Sequence, residues 1–264
     1  MYKKQIPASI KELLAGKSYQ KDSMGLSEST VLLFDDMVLK IQQTNKEIKN
    51  EYSIMKWLEQ SEKLPHVLAY EQQEQQSYLL MSKMQGELSC DKQYMTRPEV
   101  LFRIVTEGMK WLWSVDISDC PCNNTLAHKL KQAEFQVTHG LVDLENTEPE
   151  TFSENGFANP EALLQWLYEN QPKEELVLSH GDYCLPNIFA KEDAFCGFVD
   201  VGRMGIADKW QDIALCYRSL AHNFAGKYNG ISYGTFDASL FFEMLGVEPD
   251  WKKIRYYILL DELF

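Results

Sequence analysis

Hydrophobic positions in the first third of the chain shift between a period of two and a helical period, which predicts mixed strand and helix. Val31-Leu32-Leu33-Phe34, the acidic pair Asp35-Asp36 and Met37-Val38-Leu39-Lys40-Ile41 read as a β-hairpin. Between Lys46 and Gln60, the residues Ile48, Tyr52, Met55 and Leu58 recur at helical spacing, and Glu51 falls beside that stripe. Pro65 closes the segment. Ser77 to Met81 predicts another strand, and the polar run Ser82-Lys83-Met84-Gln85-Gly86 after it reads as a hinge rather than a hairpin turn.

From Pro98 onward helices dominate. Val100-Leu101, Ile104-Val105, Met109 and Leu112-Trp113 form one amphipathic run, and Asn159-Pro160 supplies the cap and first-turn residues of another helix. Two short apolar stretches, Leu176-Val177-Leu178 and Phe195-Cys196-Gly197-Phe198-Val199, flank the most polar motif of the chain. Asp208 to Phe224 and Trp251 to Leu263 complete the predicted helices.

Composition narrows the function classes. With 264 residues, 45% hydrophobic and 25% charged, the chain is long enough for one large domain or two lobes sharing a core. A net charge of −13 excludes a nucleic-acid partner, whose phosphates need a basic surface, and permits a cationic ligand. No apolar run approaches the roughly 18 residues of a membrane span, and the opening Met1-Tyr2-Lys3-Lys4-Gln5 is not followed by a signal-peptide core. A cytoplasmic protein without membrane attachment is expected. The six cysteines lack framework spacing; Cys120-Pro121-Cys122 has no second pair and reads as a loop rather than a metal site.

Candidate chemistry concentrates in Ser179-His180-Gly181-Asp182-Tyr183-Cys184-Leu185-Pro186-Asn187-Ile188-Phe189 and, one hairpin later, Phe198-Val199-Asp200-Val201-Gly202-Arg203. These segments place three oxygen-bearing side chains on short loops beside strands. Magnesium-dependent phosphoryl transfer needs such a set: hard oxygens for Mg²⁺ and a carboxylate within reach of the acceptor hydroxyl. No Walker-type loop and no Gly-x-Gly-x-x-Gly occurs, so a P-loop does not hold the phosphates.

The joint pattern resembles the catalytic and metal-binding loops shared by protein kinases and aminoglycoside 3'-phosphotransferases, and is most similar to the latter. Ser179 to Asp182, Gly197 to Arg203, Ala207-Asp208-Lys209-Trp210-Gln211-Asp212-Ile213-Ala214 and Leu260-Asp261-Glu262-Leu263-Phe264 carry the likeness through nearly the whole sequence. It implies an α+β, protein-kinase-like bilobal fold: a small β-rich lobe at 1–81, a hinge at 82–86, and a larger, mainly helical lobe at 87–264. It further implies Asp182 as the catalytic aspartate, Asn187 and Asp200 as Mg²⁺ ligands, and Lys40, held by Glu51, on the α and β phosphates of ATP. Ser27, in Met24-Gly25-Leu26-Ser27, is expected to cover the phosphates. Ser82 and Met84 are expected to read the base edge, and ATP and GTP both remain open as donors. Arg203 is expected to position Asp182 or the substrate, and Asp212 to brace the catalytic loop.

The resemblance also places Asp261, Glu262 and the α-carboxylate of Phe264 around a polyammonium aminoglycoside, with Glu150 and Glu154 as an opposite wall. Two departures stand out. Val38 occupies a position where relatives often stack an aromatic on adenine, and His222-Asn223 replaces an acidic pair, followed by an insertion-like stretch from Gly226 to Asp237. His222 reads as a surface histidine. A kinase for a sugar, choline or another antibiotic is the alternative, disfavoured for neutral acceptors by the acidic ending. A non-catalytic kinase-like binder conflicts with intact Asp182, Asn187, Asp200 and Lys40, and a protein kinase would need an Ala-Pro-Glu segment that is absent.

Overall fold

The computed structural model describes residues 6–21, 29–228 and 230–264. Helix α1 (Ala8–Leu13) and strand β1 (Gln20–Lys21) precede the predicted hairpin, which forms as β2 (Thr30–Leu33) and β3 (Met37–Gln43). After α2 (Lys46–Trp57), the strands β4 (Val67–Gln73) and β5 (Gln76–Ser82) complete an antiparallel sheet in the order β1-β2-β3-β5-β4. The pattern did not signal β4, because Glu71-Gln72-Gln73 and an exposed Leu68 mask its alternation.

Period-two alternation sorts the sheet into two faces. Met37, Leu39 and Ile41 of β3 with Tyr78 and Leu80 of β5 meet Ile6, Ile10, Leu32 and Phe34 in a small core. The other face sends Leu79 and Met81 into the main core beside Ile48, Ile54 and Met55 of α2. Lys40 pairs in register with Leu79, so its side chain belongs to this second face, toward α2. Asn45 caps α2 by accepting from the Ile48 N–H at 3.0 Å. The buried face of α2 is Ile48, Glu51, Ile54 and Met55; Tyr52 and Leu58 are only half-buried. Its centre is therefore rotated onto Glu51 relative to the predicted stripe.

The remainder is mainly helical: α3 (Lys92–Met95), α4 (Pro98–Ser114), α5 (Leu126–Thr138), α6 (Pro160–Glu169), α7 (Lys209–Ala225), α8 (Ala238–Leu245) and α9 (Trp251–Asp261). Asn159 caps α6 and Asp208 caps α7, as their positions before the apolar runs predict. Helix α9 ends at Asp261, two residues before the predicted limit. Strand β6 (Glu87–Leu88) pairs with β8 (Ile188–Lys191), which pairs with β9 (Ala194–Phe198); β7 (Leu176–Ser179) pairs with β10 (Gly205–Asp208). These short ladders hold the polar motif over a core containing Phe102, Leu112, Phe198, Ile213 and Phe224. Among the described residues no helix is long and apolar enough to cross a membrane.

Candidate active site

The chain leaves β7 at Ser179 and must turn sharply while presenting Asp182. Gly181 permits the turn: its φ is +82°, and a Cβ there would lie 2.1 Å from the Arg203 carbonyl oxygen. Asp212, fully buried on α7, accepts from the Ser179 hydroxyl at 2.9 Å, the His180 N–H at 2.7 Å and the Gly181 N–H at 3.0 Å. Burial pushes the Asp212 carboxyl above the usual range, against the smaller pull of His180 and these donors. Asp212 thus braces the loop rather than opening toward a ligand. His180, also fully buried, bridges the Val199 carbonyl at 3.1 Å and the Asp182 N–H at 3.3 Å.

Asp182 is half-buried, and its Oδ2 accepts from Asn187 Nδ2 at 3.0 Å. That nitrogen also donates to the Asp182 carbonyl at 3.0 Å, which leaves Asn187 Oδ1 without a hydrogen-bond partner among the described residues. Asn187 accepts the Val199 N–H at its backbone oxygen, setting it beside the strand end that leads into Asp200. Asp200 adopts the left-handed conformation, φ 56° and ψ 52°, a strained choice for a residue with a side chain. Its Oδ1 receives Lys40 Nζ at 2.7 Å, while the same ammonium lies 2.9 Å from Glu51 Oε2. Burial raises the Asp200 carboxyl, but Lys40 outweighs it and holds the group below the usual range. Burial likewise opposes the Lys40 charge, and Glu51 with Asp200 overcomes it, so the ammonium stays protonated. Among the described residues no three His, Cys, Asp or Glu side chains gather as a metal cluster. Asp200 and the Asn187 amide oxygen nonetheless fit Mg²⁺, which takes one or two protein oxygens and completes its shell with phosphates and water.

The expected base-reading residues differ in what they offer. Ser82 exchanges its N–H and Oγ with the backbone of His66, at 2.9 and 2.8 Å, so its donor is already used. The Met84 backbone N–H and C=O are unpaired among the described residues. Ser27 lies outside the described residues.

On the other side of Asp182, the acidic ending is not an open row of carboxylates. Asp261 receives Arg218 Nη2 and lies 3.9 Å from Arg203 Nη1; Glu262 receives Arg218 Nη1 at 3.2 Å and the Glu148 N–H at 2.7 Å. Burial raises the Asp261 carboxyl, but Arg218, Arg203 and Lys129 hold it low. The Phe264 ring packs on Lys129, whose ammonium is 5.4 Å from the ring centre. Arg203 makes no hydrogen bond to Asp182: its Nε donates to Glu47 on α2 at 2.8 Å, joining that helix to Asp261.

Glu150 and Glu154, placed on the acceptor wall by the sequence, are exposed, and their carboxylates make no contact among the described residues. It is the neighbouring Glu148 that joins the C-terminal segment, its N–H donating to Glu262 at 2.7 Å. His222, read as a surface residue, lies 3.2 Å from Glu148 with a side chain only 18% exposed. Lys129 was also missed: it is a buried lysine whose ammonium has no hydrogen-bond partner among the described residues, and burial, opposed by Asp261, lowers it to about 8. Only its place on the inner side of α5, between Leu126 and Leu130, hinted at this.

A Lys–Glu pair between a sheet and its helix, facing an Asp-Asn-Asp set on the helical side, characterises a phosphotransferase of the protein-kinase-like fold. Residues 18–240 match the phosphotransferase enzyme family. The chain is 37% identical to an aminoglycoside 3'-phosphotransferase of Enterococcus faecalis and 36% identical to one of Staphylococcus aureus, with all of each chain covered. It belongs to the aminoglycoside 3'-phosphotransferase family. The crystal structure of a type VIII aminoglycoside-3'-phosphotransferase matches with a TM-score of 0.79 at 24% identity, over 97% of both chains. A Streptomyces rimosus phosphotransferase, solved in complex with ADP and streptomycin, matches with a TM-score of 0.76 at 22% identity over 97% of each.

Proposed function

We propose that this protein transfers the γ-phosphoryl group of ATP to the 3'-hydroxyl of kanamycin- and neomycin-type aminoglycosides, and so confers resistance from the cytoplasm, where ATP is available. The observation that carries this reading is the meeting of Lys40 with Asp200 and of Asp182 with Asn187, in a chain matched end to end by aminoglycoside 3'-phosphotransferases. Residues 1–81 form the nucleotide lobe, 82–86 the hinge and 87–264 the catalytic lobe.

Lys40, fixed between Glu51 and Asp200, is poised for the α and β phosphates. The base edge falls to the unpaired Met84 backbone. Met84 also packs over Gly197, where a Cβ would lie 2.4 Å from its Cε. Asp200 and Asn187 Oδ1 would hold Mg²⁺, which would supply positive charge to offset the phosphate charge during transfer. Asp182 orients the acceptor hydroxyl and takes its proton as the oxygen attacks phosphorus. Arg203 acts on the acceptor side through Asp261 rather than by touching Asp182. Asp261, Glu262 and Phe264 line the acceptor subsite, the first two with their charges partly met by arginine.

An ATP-consumption assay across kanamycin, neomycin, amikacin and choline, repeated with GTP and with product located by NMR, tests the reading. Aminoglycoside-dependent ADP formation with phosphate on O3' is expected. Turnover of choline alone, or phosphate on another hydroxyl, would overturn it.

A further inference from the structure

The stretch that follows α7 folds back tightly on the helix end. Gly226 terminates α7 at φ 80°, and the Lys227 N–H returns to the His222 carbonyl at 2.9 Å. The Tyr233 N–H then bonds the Phe224 carbonyl at 2.8 Å. This folding delivers Lys227 to Glu148, with Nζ 2.9 and 3.1 Å from the two carboxylate oxygens. His222 adds a second contact to Glu148 at 3.2 Å, and its other ring nitrogen lies 3.1 Å from the Tyr228 hydroxyl.

The cluster borders the acceptor subsite. The Glu148 N–H is bonded to Glu262, and Tyr228 lies within electrostatic reach of Arg218, Cys184, Glu148 and Asp182. Three side-chain carboxylates on this wall meet a cation of the protein: Asp261 and Glu262 meet Arg218, and Glu148 meets Lys227. A polyammonium acceptor finds these three counter-charges already shared.

We infer that Lys227 is a specificity residue: by occupying Glu148 it makes the wall favour acceptors bearing a hydroxyl at that point over acceptors bearing an ammonium. The inference rests on the proposed acceptor class. A ring hydroxyl can donate to a remaining lone pair of Glu148 with Lys227 in place, whereas an ammonium must share the carboxylate with Lys227 or displace it. Lys227 is 45% exposed, so its grip is loose and the discrimination amounts to a few-fold.

The test compares kcat/KM for acceptors differing by one group: kanamycin B against kanamycin A (amine or hydroxyl at 2') and neomycin B against paromomycin (amine or hydroxyl at 6'). Lys227→Met should raise the amine-to-hydroxyl ratio about fivefold in at least one pair, through KM of the amine. Lys227→Arg, which keeps the charge, should leave the ratio as in the wild type, and KM for ATP should not move in either variant. A ratio unchanged within twofold in both pairs, or a parallel change in KM for ATP, overturns the inference while leaving the acceptor class intact. Wild-type protein that phosphorylates none of the four compounds overturns both.

Discussion

At the residue scale, Asp182 and Lys129 show how surroundings decide what one side chain does. Asp182 is aimed by Asn187 and by a loop that Asp212 holds from below, so replacing its carboxylate should spare the fold. Asp182→Asn should lower kcat roughly 100- to 10,000-fold, about 3–5 kcal/mol of barrier, with little change in Tm. Near wild-type turnover would remove Asp182 from the mechanism. Lys129 makes a prediction about pH. Folded, it is held at about 8, below its unfolded value of roughly 10.4, so between those values the unfolded chain binds more protons. Its destabilising effect is therefore complete below pH 8 and fades as pH rises through the window. Lys129→Met should be more stable than wild type at pH 7, with the Tm gap closing toward pH 10; a gap independent of pH would show that Lys129 is not held low.

At the element scale, the turn between β7 and β8 is set by backbone geometry and by a single carboxylate from α7. Gly181→Ala would impose a side chain at φ +82° and within 2.1 Å of a carbonyl oxygen. It should cost more than about 2 kcal/mol and reduce kcat as well, since Asp182 is the next residue. Chemical denaturation alongside single-turnover kinetics would check both effects, and a variant of wild-type stability would contradict the packing described. The elements themselves were largely legible. The β2–β3 hairpin, α2, α4, α6, α7 and α9 appear where hydrophobic period and capping residues place them, because those signals act within a turn or two of chain. Strand β4 was hidden because half of it is polar, and α2 turned its buried face onto Glu51 because Lys40 waits there.

At the scale of the whole molecule, ion pairs tie distant segments around the cleft. Arg203 joins α2 to Asp261, Arg218 joins α7 to Asp261 and Glu262, and Lys40 joins the sheet to Asp200. The Asp261–Phe264 segment is consequently structural, whatever its proposed acceptor contacts: Glu262 is buried and Leu263 is fully so. Removing residues 261–264 should lower stability by roughly 3–5 kcal/mol, because Arg218 would lose both of its carboxylate partners in a half-buried setting. Thermal unfolding of the truncated protein checks this; an unchanged Tm would mean that the segment only contacts substrate. Asp261→Asn is the gentler variant, expected to raise KM for aminoglycosides more than for ATP.

The sequence by itself determined the chemistry on offer and the frame that carries it. Period-two alternation put Lys40 on one face of a strand, and the spacing of Asp182, Asn187 and Asp200 marked a phosphoryl transfer, since these are short-range properties of the chain. Only the tertiary structure decided which polar groups meet. Lys40 and Asp200 are 160 positions apart, Arg203 and Glu47 156, Glu148 and Glu262 114. Hydrophobic pattern tells each element which side to bury but not which partner it will face, so Asp261 and Glu262, read as free carboxylates, are paired with Arg218.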